Sequence, residues 1–499
     1  MSRRTRIAVL LAACLVACGE EKKQALPAQD LVLADVTVVD TRTGALAPGM
    51  TIVVEKGRIA QVAPASAVAG AGSAPRVAGE GRYVVPGYLD MHAHPLQSDP
   101  ERSLTMMLAN GITGYRQMAG TPDLLERRKN GEAFSNADAP ELLAMPGIPL
   151  LGLIAKSPEG AVAEVQEQQA LGADFIKVAS LPPAEFFAAL GEAKRVGLPF
   201  VGHLPQTVDL RAAAKAGMRS IEHLGPGVSL LLACSSDEAA LRKRIETLPS
   251  NEPRGFLPPA LVKLAMPFLA GTLERFIANP ALLTEPAQLD LIRSVVATFD
   301  EAKCAELAAE LARADVWQCP TLVRIRASQF GDDPAYLEDP NLRFVPKETR
   351  ELWVSLAKKF TEKFSPEDHE TFRRLFEVQR KLTGILERGG VHMLAGSDMG
   401  GAQWLVAGIS LHQELDLLET AGVAPLRVLQ MTTLDGATFL GRESTMGTVE
   451  PGKDANLVVL SSNPLESVQN LHAVDAVVRA GRYYSRSDLD ALEEASARP

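Results

Sequence analysis

The sequence is poor in the residues that do most enzyme chemistry. It has eight histidines and five cysteines in 499 residues, and aromatic side chains make up 5%. There is no GxSxG elbow, and no CxxC or Cys–His zinc spacing, so a serine-hydrolase centre and a zinc finger are both excluded by pattern. Basic tracts are missing too. A net charge of −10 and a pI near 5.5 leave no electrostatic footprint for nucleic acid and no polybasic patch for a membrane surface. No sequence repeat of fixed period and no low-complexity tract occurs. What remains is ordinary for a folded α/β chain: 46% apolar and 22% charged residues, at a length that suits one large domain with a smaller one.

The first residues read as a targeting segment and are set apart from fold reasoning. MSRRTR is basic, and IAVLLAACLVAC is apolar but too short to span a bilayer. Leu15-Val16-Ala17-Cys18 has the form of a bacterial lipobox, in which small residues precede a cysteine that is acylated and becomes the new N-terminus. Leu11-Ala12-Ala13-Cys14 meets the same pattern with a shorter apolar core, and an ordinary signal peptide is the plainer alternative. The expectation is an exported lipoprotein, anchored to a membrane through Cys18 and facing the periplasm or the cell surface. Residues 1–17 are then the signal and 18–29 a tether. Cys234, Cys304 and Cys319 would lie in an oxidising compartment. Their odd number allows one bridge and a spare thiol, or three buried free thiols.

Beyond the tether, LVLADVTVVD and TIVVEKGRIAQVAP alternate with period two. ANLVVLSS and AVDAVVRAGRYYS do the same near the far end. Two groups of short strands at opposite ends can pair into one small β-domain, residues 30–84 with 441–485, leaving 486–499 as a tail. Between them, over 85–440, eight apolar runs alternate with helix-like segments such as AEFFAALGEAKRVG: YVVPGYLDMHAH, GITGYRQMA, ELLAMPGIPLLG, ADFIKVAS, LPFVGHLP, RSIEHLG, WQCPTLVR and VHMLAGSD. That order predicts a (β/α)₈ barrel. Residues 235–313 and 326–388 are too long for simple connections and read as helical insertions at its mouth. GTVEPGKD at 447–454 imitates a phosphate-binding loop, but Asp454 stands where Ser or Thr is needed and a strand follows instead of a helix. It reads as a turn.

The scarce histidines gather at the ends of these runs. The first ends in His92 and His94, the fifth in His203, the sixth in His223 and the eighth in Asp398, while Lys177 lies in the fourth. Residues i and i+2 of a strand face the same way, so His92 and His94 can reach one point, and in a barrel the strand C-termini converge on one face. Imidazole and carboxylate are good zinc ligands. A lysine buried beside cations is repelled and loses its proton more easily. As a neutral amine it can take up carbon dioxide and become a carbamate, an anion able to bridge two metals. Arg116 and Tyr115, after the second run, are candidates to hold a substrate carboxylate, with a plain salt bridge as the alternative for Arg116. His369, His412 and His472 read as structural, and His392 as possible outer support for the eighth run.

The pieces VVPGYLDMHAH, NGITGYRQM, GADFIKVA, GHLP, IEHL, PTLV, LAGSD and GTVEPGKDANLVVL, in that order, resemble the amidohydrolase superfamily, in its imidazolonepropionase-like and prolidase-like branch. The resemblance implies a distorted (β/α)₈ barrel with a small β-sandwich built from both chain ends. One divalent ion would be held by His92, His94 and Asp398 and another by His203 and His223, with carboxylated Lys177 and a hydroxide between them. Zinc suits these donors. Asp398 would take the proton from the attacking water. The implied reaction is hydrolysis of a small amide such as a dipeptide. A cyclic amide or imide, with one metal, is the alternative, as is a surface lipoprotein that binds metal without turnover. Asn456 departs from an aspartate usual in the family's tail, a structural position. Nothing in the motifs speaks to oligomeric state.

Overall fold

A computed structural model describes residues 28–497 except 69–73, 98, 135–138, 249–257, 260 and 264–277. The leader and Cys18 lie outside the described residues. Among the described residues, sixteen strands follow in chain order. β1 (Leu31–Val39), β2 (Leu46–Glu55), β3 (Arg58–Pro64), β4 (Arg76–Ala78) and β5 (Tyr83–Pro86) come first. β6 (Tyr88–Ala93), β7 (Ile112–Gln117), β8 (Glu141–Ala144), β9 (Leu150–Leu151), β10 (Ile176–Ser180), β11 (Phe200–Gly202), β12 (Ser220–Glu222) and β13 (Trp317–Cys319) form the middle. β14 (Leu457–Leu460), β15 (Val474–Arg479) and β16 (Arg482–Ser485) close the list.

The two ends of the chain do meet. One eight-stranded sheet runs β16-β15-β14-β5-β1-β2-β3, with β4 against β1, and the ends join where β5 pairs antiparallel with β14. The period-two reading of β1 holds with one interruption. Asp35 has a left-handed φ of 58° and the register shifts between Leu33 and Val36, so Leu31, Leu33, Val36 and Val38 all reach one core. Val39 and Val85 point into the larger core instead. Asn456 is structural, its Oδ1 accepting from Ala480 N at 2.9 Å and Arg479 Nη1 at 3.1 Å.

The middle strands pair in parallel throughout, as β6-β7-β8 and β9-β10-β11-β12-β13. The first expected run divides. β5 belongs to the end sheet and β6 to the parallel one, with Gly87 between them, where a Cβ would fall 2.1 Å from Thr113 Oγ1. The third run is split by Pro146 and Pro149 into β8 and β9, and Asp174 N reaches across to Met145 O at 3.0 Å. The eighth run is not a regular strand. It is nevertheless held on both sides: Leu394 N donates to Gln318 O at 2.8 Å, and Met91 N to Ala395 O at 2.9 Å. Residues 391–395 therefore lie between β13 and β6.

The connecting helices start and stop where local chemistry dictates. Asp99, Thr121 and Ser157 cap Pro100–Ala109, Pro122–Lys129 and Pro158–Ala170, each with proline in the first turn. Gly197 and Gly217, both left-handed, end Pro183–Val196 and Leu210–Ala216. The expected insertions are helical. Glu238–Thr247, Pro286–Ala297 and Glu301–Arg313 precede β13; Lys347–Lys363 and Pro366–Arg388 follow it. In the last, Phe372, Leu375, Phe376, Gln379, Leu382 and Leu386 make a buried stripe at helical spacing, which packs on Pro286–Ala297 and Glu301–Arg313. Cys234 and Cys304 are bridged, and Cys319 is free and buried.

Two expectations need correction. The 486–499 tail is mostly a helix, Arg486–Ser496, started by a reciprocal Ser485–Asp488 cap and anchored by buried Leu489. His392 supports nothing at the end of the eighth run. It stands exposed at the run's start and stacks on Trp317, with ring centroids 4.6 Å apart. The 447–454 segment is a turn as expected, with Lys453 Nζ bonded to Glu443 O. Among the described residues no helix is long and apolar enough to cross a membrane.

Candidate metal centre

Asp398 is the hub. Its Oδ1 lies 3.2 Å from His92 Nε2 and 3.1 Å from His94 Nε2, and its Oδ2 is 3.8 Å from His223 Nε2. The His203 ring is 5.1 Å from that of His223, and Lys177 Nζ is 3.2 Å from His92 Nε2. All six residues proposed as ligands thus come together. His92 and His94 are supplied by β6 and the residue after it, Lys177 by β10, His203 and His223 by the first positions beyond β11 and β12, and Asp398 by the turn after 391–395.

That turn is shaped for the purpose. Asp90, buried under it on β6, accepts from Ser397 N at 3.0 Å and Ser397 Oγ at 2.5 Å, and burial lifts its carboxyl to about 6. Asp398 N donates to His92 O at 2.6 Å. His223, Thr321 and Asp398 have left-handed φ values of 59°, 47° and 55°, conformations that non-glycine residues keep only where the surroundings enforce them.

Outward hydrogen bonds turn the imidazoles inward. Glu222 Oε2 lies 2.7 Å from His92 Nδ1. Burial works against the Glu222 charge, but Arg116 and His92 outweigh it and hold the carboxyl well below its usual range. An ionised carboxylate can only accept, so Nδ1 carries the hydrogen and Nε2 presents its lone pair to the cage. His223 Nδ1 is fixed likewise by Thr321 Oγ1 at 2.5 Å. Desolvation keeps the rings neutral, lowering His94 to about 4 and driving His203 and His223 well below the ordinary imidazole value. It also brings Lys177 down to about 8. Imidazoles that burial discourages from taking up a proton, the Asp398 carboxylate and a lysine that loses its proton easily form a donor set fitted to divalent cations. His92, His223 and Asp398 satisfy the distances for one ion directly.

The second-run candidates are not substrate contacts. Arg116 is fully buried, donating from Nη2 to Glu222 Oε1 at 2.9 Å and from Nε to Met91 O at 2.6 Å, with Phe439 packed on its guanidinium. Its charge is spent on Glu222. Tyr115, the next residue along β7, faces the opposite side and is buried in the helix-side core. His369, His412 and His472 pair with Asp332, Asn110 O and Asp416, as structural histidines do.

Three participants escaped the sequence reading. Glu222 was in view as the residue before His223, and a carboxylate inside an apolar strand was the available signal. Thr321 and Arg324 lie in the second half of the seventh run, WQCPTLVR, which had offered no ligand. Arg324 Nε approaches Asp398 Oδ2 at 3.0 Å.

A parallel-stranded α/β frame whose strand ends supply such a donor set defines the class: an α/β protein with a candidate metal centre at its strand ends. Residues 357–483 match the amidohydrolase family model. No curated protein matches the chain. Among solved structures, a bottromycin amidohydrolase superposes with a TM-score of 0.66 at 24% identity, covering 94% of this chain and 90% of its own. A putative prolidase from Bifidobacterium longum gives 0.57 at 20%, covering 95% and 100%. A Xaa-Pro dipeptidase with methionine in its active site gives 0.58 at 15%, covering 92% and 100%. The structural likeness speaks for the fold, and the likeness in sequence to the amidohydrolase family lies in residues 357–483. The match of that segment is in keeping with a hydrolase acting on a carbon–nitrogen bond of a small molecule.

Proposed function

We propose that the chain is a metal-dependent amidohydrolase that cleaves the amide bond of a small, dipeptide-like substrate. The observation carrying this is the convergence of His92, His94 and His223 on Asp398, with Lys177 in the same cage. In this reading His92, His94 and Asp398 would hold one divalent ion and His203 and His223 a second, and Lys177, once carboxylated, would add an anionic ligand to the same cage. Bound zinc-like ions would acidify a water and polarise the scissile carbonyl.

The protein's own part follows from its geometry. Asp398, kept ionised, receives the proton at a carboxylate oxygen and returns it to the leaving nitrogen. Glu222, fixed by Arg116 and by Ser220 Oγ at 2.7 Å, holds the His92 ring in one orientation through the cycle. Thr321 does the same for His223.

The hydrogen bonds on both sides of 391–395 support reading the parallel strands as a closed (β/α)₈ barrel over 85–440, with the sheet of 30–84 and 441–485 as a separate small β-sandwich domain. Export as a lipoprotein acylated at Cys18 is part of the same proposal, and the Cys234–Cys304 bridge suits an oxidising compartment.

The test is a panel of dipeptides, N-acyl amino acids and lactams offered to protein whose metal content has been counted. Cleavage of dipeptides by protein carrying about two ions per chain, lost to a chelator and recovered with zinc or manganese, is the expected result. Full metal occupancy without turnover of any amide would leave a metal-binding lipoprotein, and lactam opening alone would leave the cyclic-amide reading.

A further inference from the structure

We infer that Arg324 is the substrate clamp: its guanidinium binds a free carboxylate on the leaving group, so the preferred substrates are N-acyl α-amino acids, dipeptides among them. The inference rests on the amidohydrolase reading and names the residue and the chemical group that reading lacks.

Three cationic side chains surround the cage, and they differ in what is left over. Arg116 is fully buried: Nη2 and Nε are taken by Glu222 and Met91 O, and its remaining Nη1 is shut off from solvent. Lys177 lies against His92. Among the described residues Arg324 has Asp398 as its one ion-pair partner, reached through Nε, and none of them hydrogen-bonds to Nη1 or Nη2. Asp398 is a poor permanent partner, because its two oxygens already face three imidazoles. The outer edge of the guanidinium, two parallel N–H donors, is therefore free, and it is the edge that grips carboxylate in bidentate fashion. Only 12% of the Arg324 side chain is exposed, so an anion bound there is largely screened from water and gains more from the contact.

The surroundings keep Arg324 in place and remove a rival. It sits in the first turn of Leu322–Gln329, where free backbone N–H groups would otherwise attract an anion. Those donors are occupied. Val323 N donates to Glu414 Oε2 at 2.8 Å, and Arg324 N and Ile325 N bond to Thr321 O at 3.0 and 3.1 Å. The side chain is what remains for the ligand.

Spacing selects the substrate class. Asp398 touches both the imidazoles and Arg324, so the anion-binding fork lies beside the point where the carbonyl is attacked. In an N-acyl α-amino acid the carboxylate carbon is three bonds from the scissile carbonyl carbon, roughly 3–4 Å. A carboxylate several residues away, as in a longer peptide cleaved internally, does not meet both.

The experiment pairs turnover with binding on the metal-loaded full chain, using N-acetyl amino acids, dipeptides and the same compounds capped as carboxamides. Wild type should favour free acids over carboxamides by about a hundredfold in kcat/KM. Arg324→Met should bring the two together, chiefly by raising KM for the acids about tenfold to a hundredfold, at unchanged metal content, and Arg324→Lys should recover part of the preference. Calorimetry with N-acetyl amino acids and their carboxamides reads the same discrimination without turnover. A wild type that binds acids and carboxamides equally, or an Arg324→Met variant that keeps the full preference, overturns the clamp even if amides are cleaved. Failure to cleave any amide, with the binding preference intact and dependent on Arg324, instead overturns the hydrolase reading and leaves the clamp standing.

Discussion

Glu222 Oε2 lies 2.7 Å from His92 Nδ1, and both side chains are completely shut off from solvent. The contact couples the cage to Arg116, whose Nη2 donates to the other Glu222 oxygen at 2.9 Å. Glu222→Gln preserves shape but weakens the grip on the ring and leaves Arg116 facing a neutral amide. Metal affinity should fall about 10–100-fold. Glu222→Ala strips a buried arginine of its counter-charge and should cost about 3–5 kcal/mol of stability. Competition with a chelator measures the first effect and denaturant unfolding the second. Wild-type metal affinity in Glu222→Gln would show that ring orientation does not depend on this carboxylate.

Lys177 makes a different contribution. As an ammonium beside His92 it repels a cation, but as a carbamate it becomes an anionic ligand. Lys177→Ala should lower the metal count from about two ions toward one and remove most turnover, about a hundredfold or more. Lys177→Arg, which cannot be carboxylated, should behave the same way. Elemental analysis with initial rates is the measurement, and full activity in either variant would sink the bridging role.

The pH dependence of stability has an identifiable source away from the ligands. Glu414 is fully buried on Ile409–Thr420, and burial pushes its carboxyl up to about 8, with Asp90 adding to the effect. In the unfolded chain the group titrates near 4.5. Between those values unfolding releases a proton, so this group's contribution to stability declines as pH rises from about 5 to about 8 and then levels off. The slope approaches about 1.4 kcal/mol per pH unit at its steepest. Glu414→Gln lacks that term, and denaturation midpoints across the range should diverge in its favour. Parallel curves for the two proteins would contradict the assignment.

Much of this site could be read from residue spacing because a parallel strand fixes the direction of its last residues. His92 and His94 two apart, with single polar residues closing later runs, need no tertiary information to be placed on one face. Arg116 shows the limit. A cation at a strand end can face a substrate or a neighbouring strand, and the choice was made by Glu222, 106 residues away. Arg324 was hidden for a related reason: it belongs to a helix that begins directly after β13, where strand logic no longer applies. The eighth run was legible as an apolar segment although its backbone is irregular, because burial between β13 and β6 imposes the same composition as a strand.

The Cys234–Cys304 bridge closes a loop with a sequence separation of 70 and ties the segment after β12 to the helix before β13. Chain-entropy reasoning gives about 4 kcal/mol for a loop of this length. A soluble form starting beyond Cys18 should show one reactive thiol when denatured without reductant, Cys319, and three after reduction. Cys234→Ala with Cys304→Ala should lower stability by that amount while leaving metal content intact. Three reactive thiols before reduction would mean the bridge does not form.

Gly396 tests how tightly the cage is built, because its constraint is space and not backbone conformation. A Cβ there would lie 2.6 Å from His92 Cβ, 2.8 Å from His92 N and 2.7 Å from Cys319 Sγ. Two of these atoms cannot swing aside, since they belong to the β6 backbone and the first carbon of a ligand. Gly396→Ala must therefore push the 391–398 segment away from β6, carrying Asp398 with it. Metal affinity should drop by at least about tenfold, and stability by about 1–3 kcal/mol. Adding Cys319→Ala relieves only the sulfur contact, so the double variant should remain defective in metal binding. Recovery of wild-type metal affinity in the double variant would locate the constraint at the thiol and release Asp398 from its dependence on a close approach to His92.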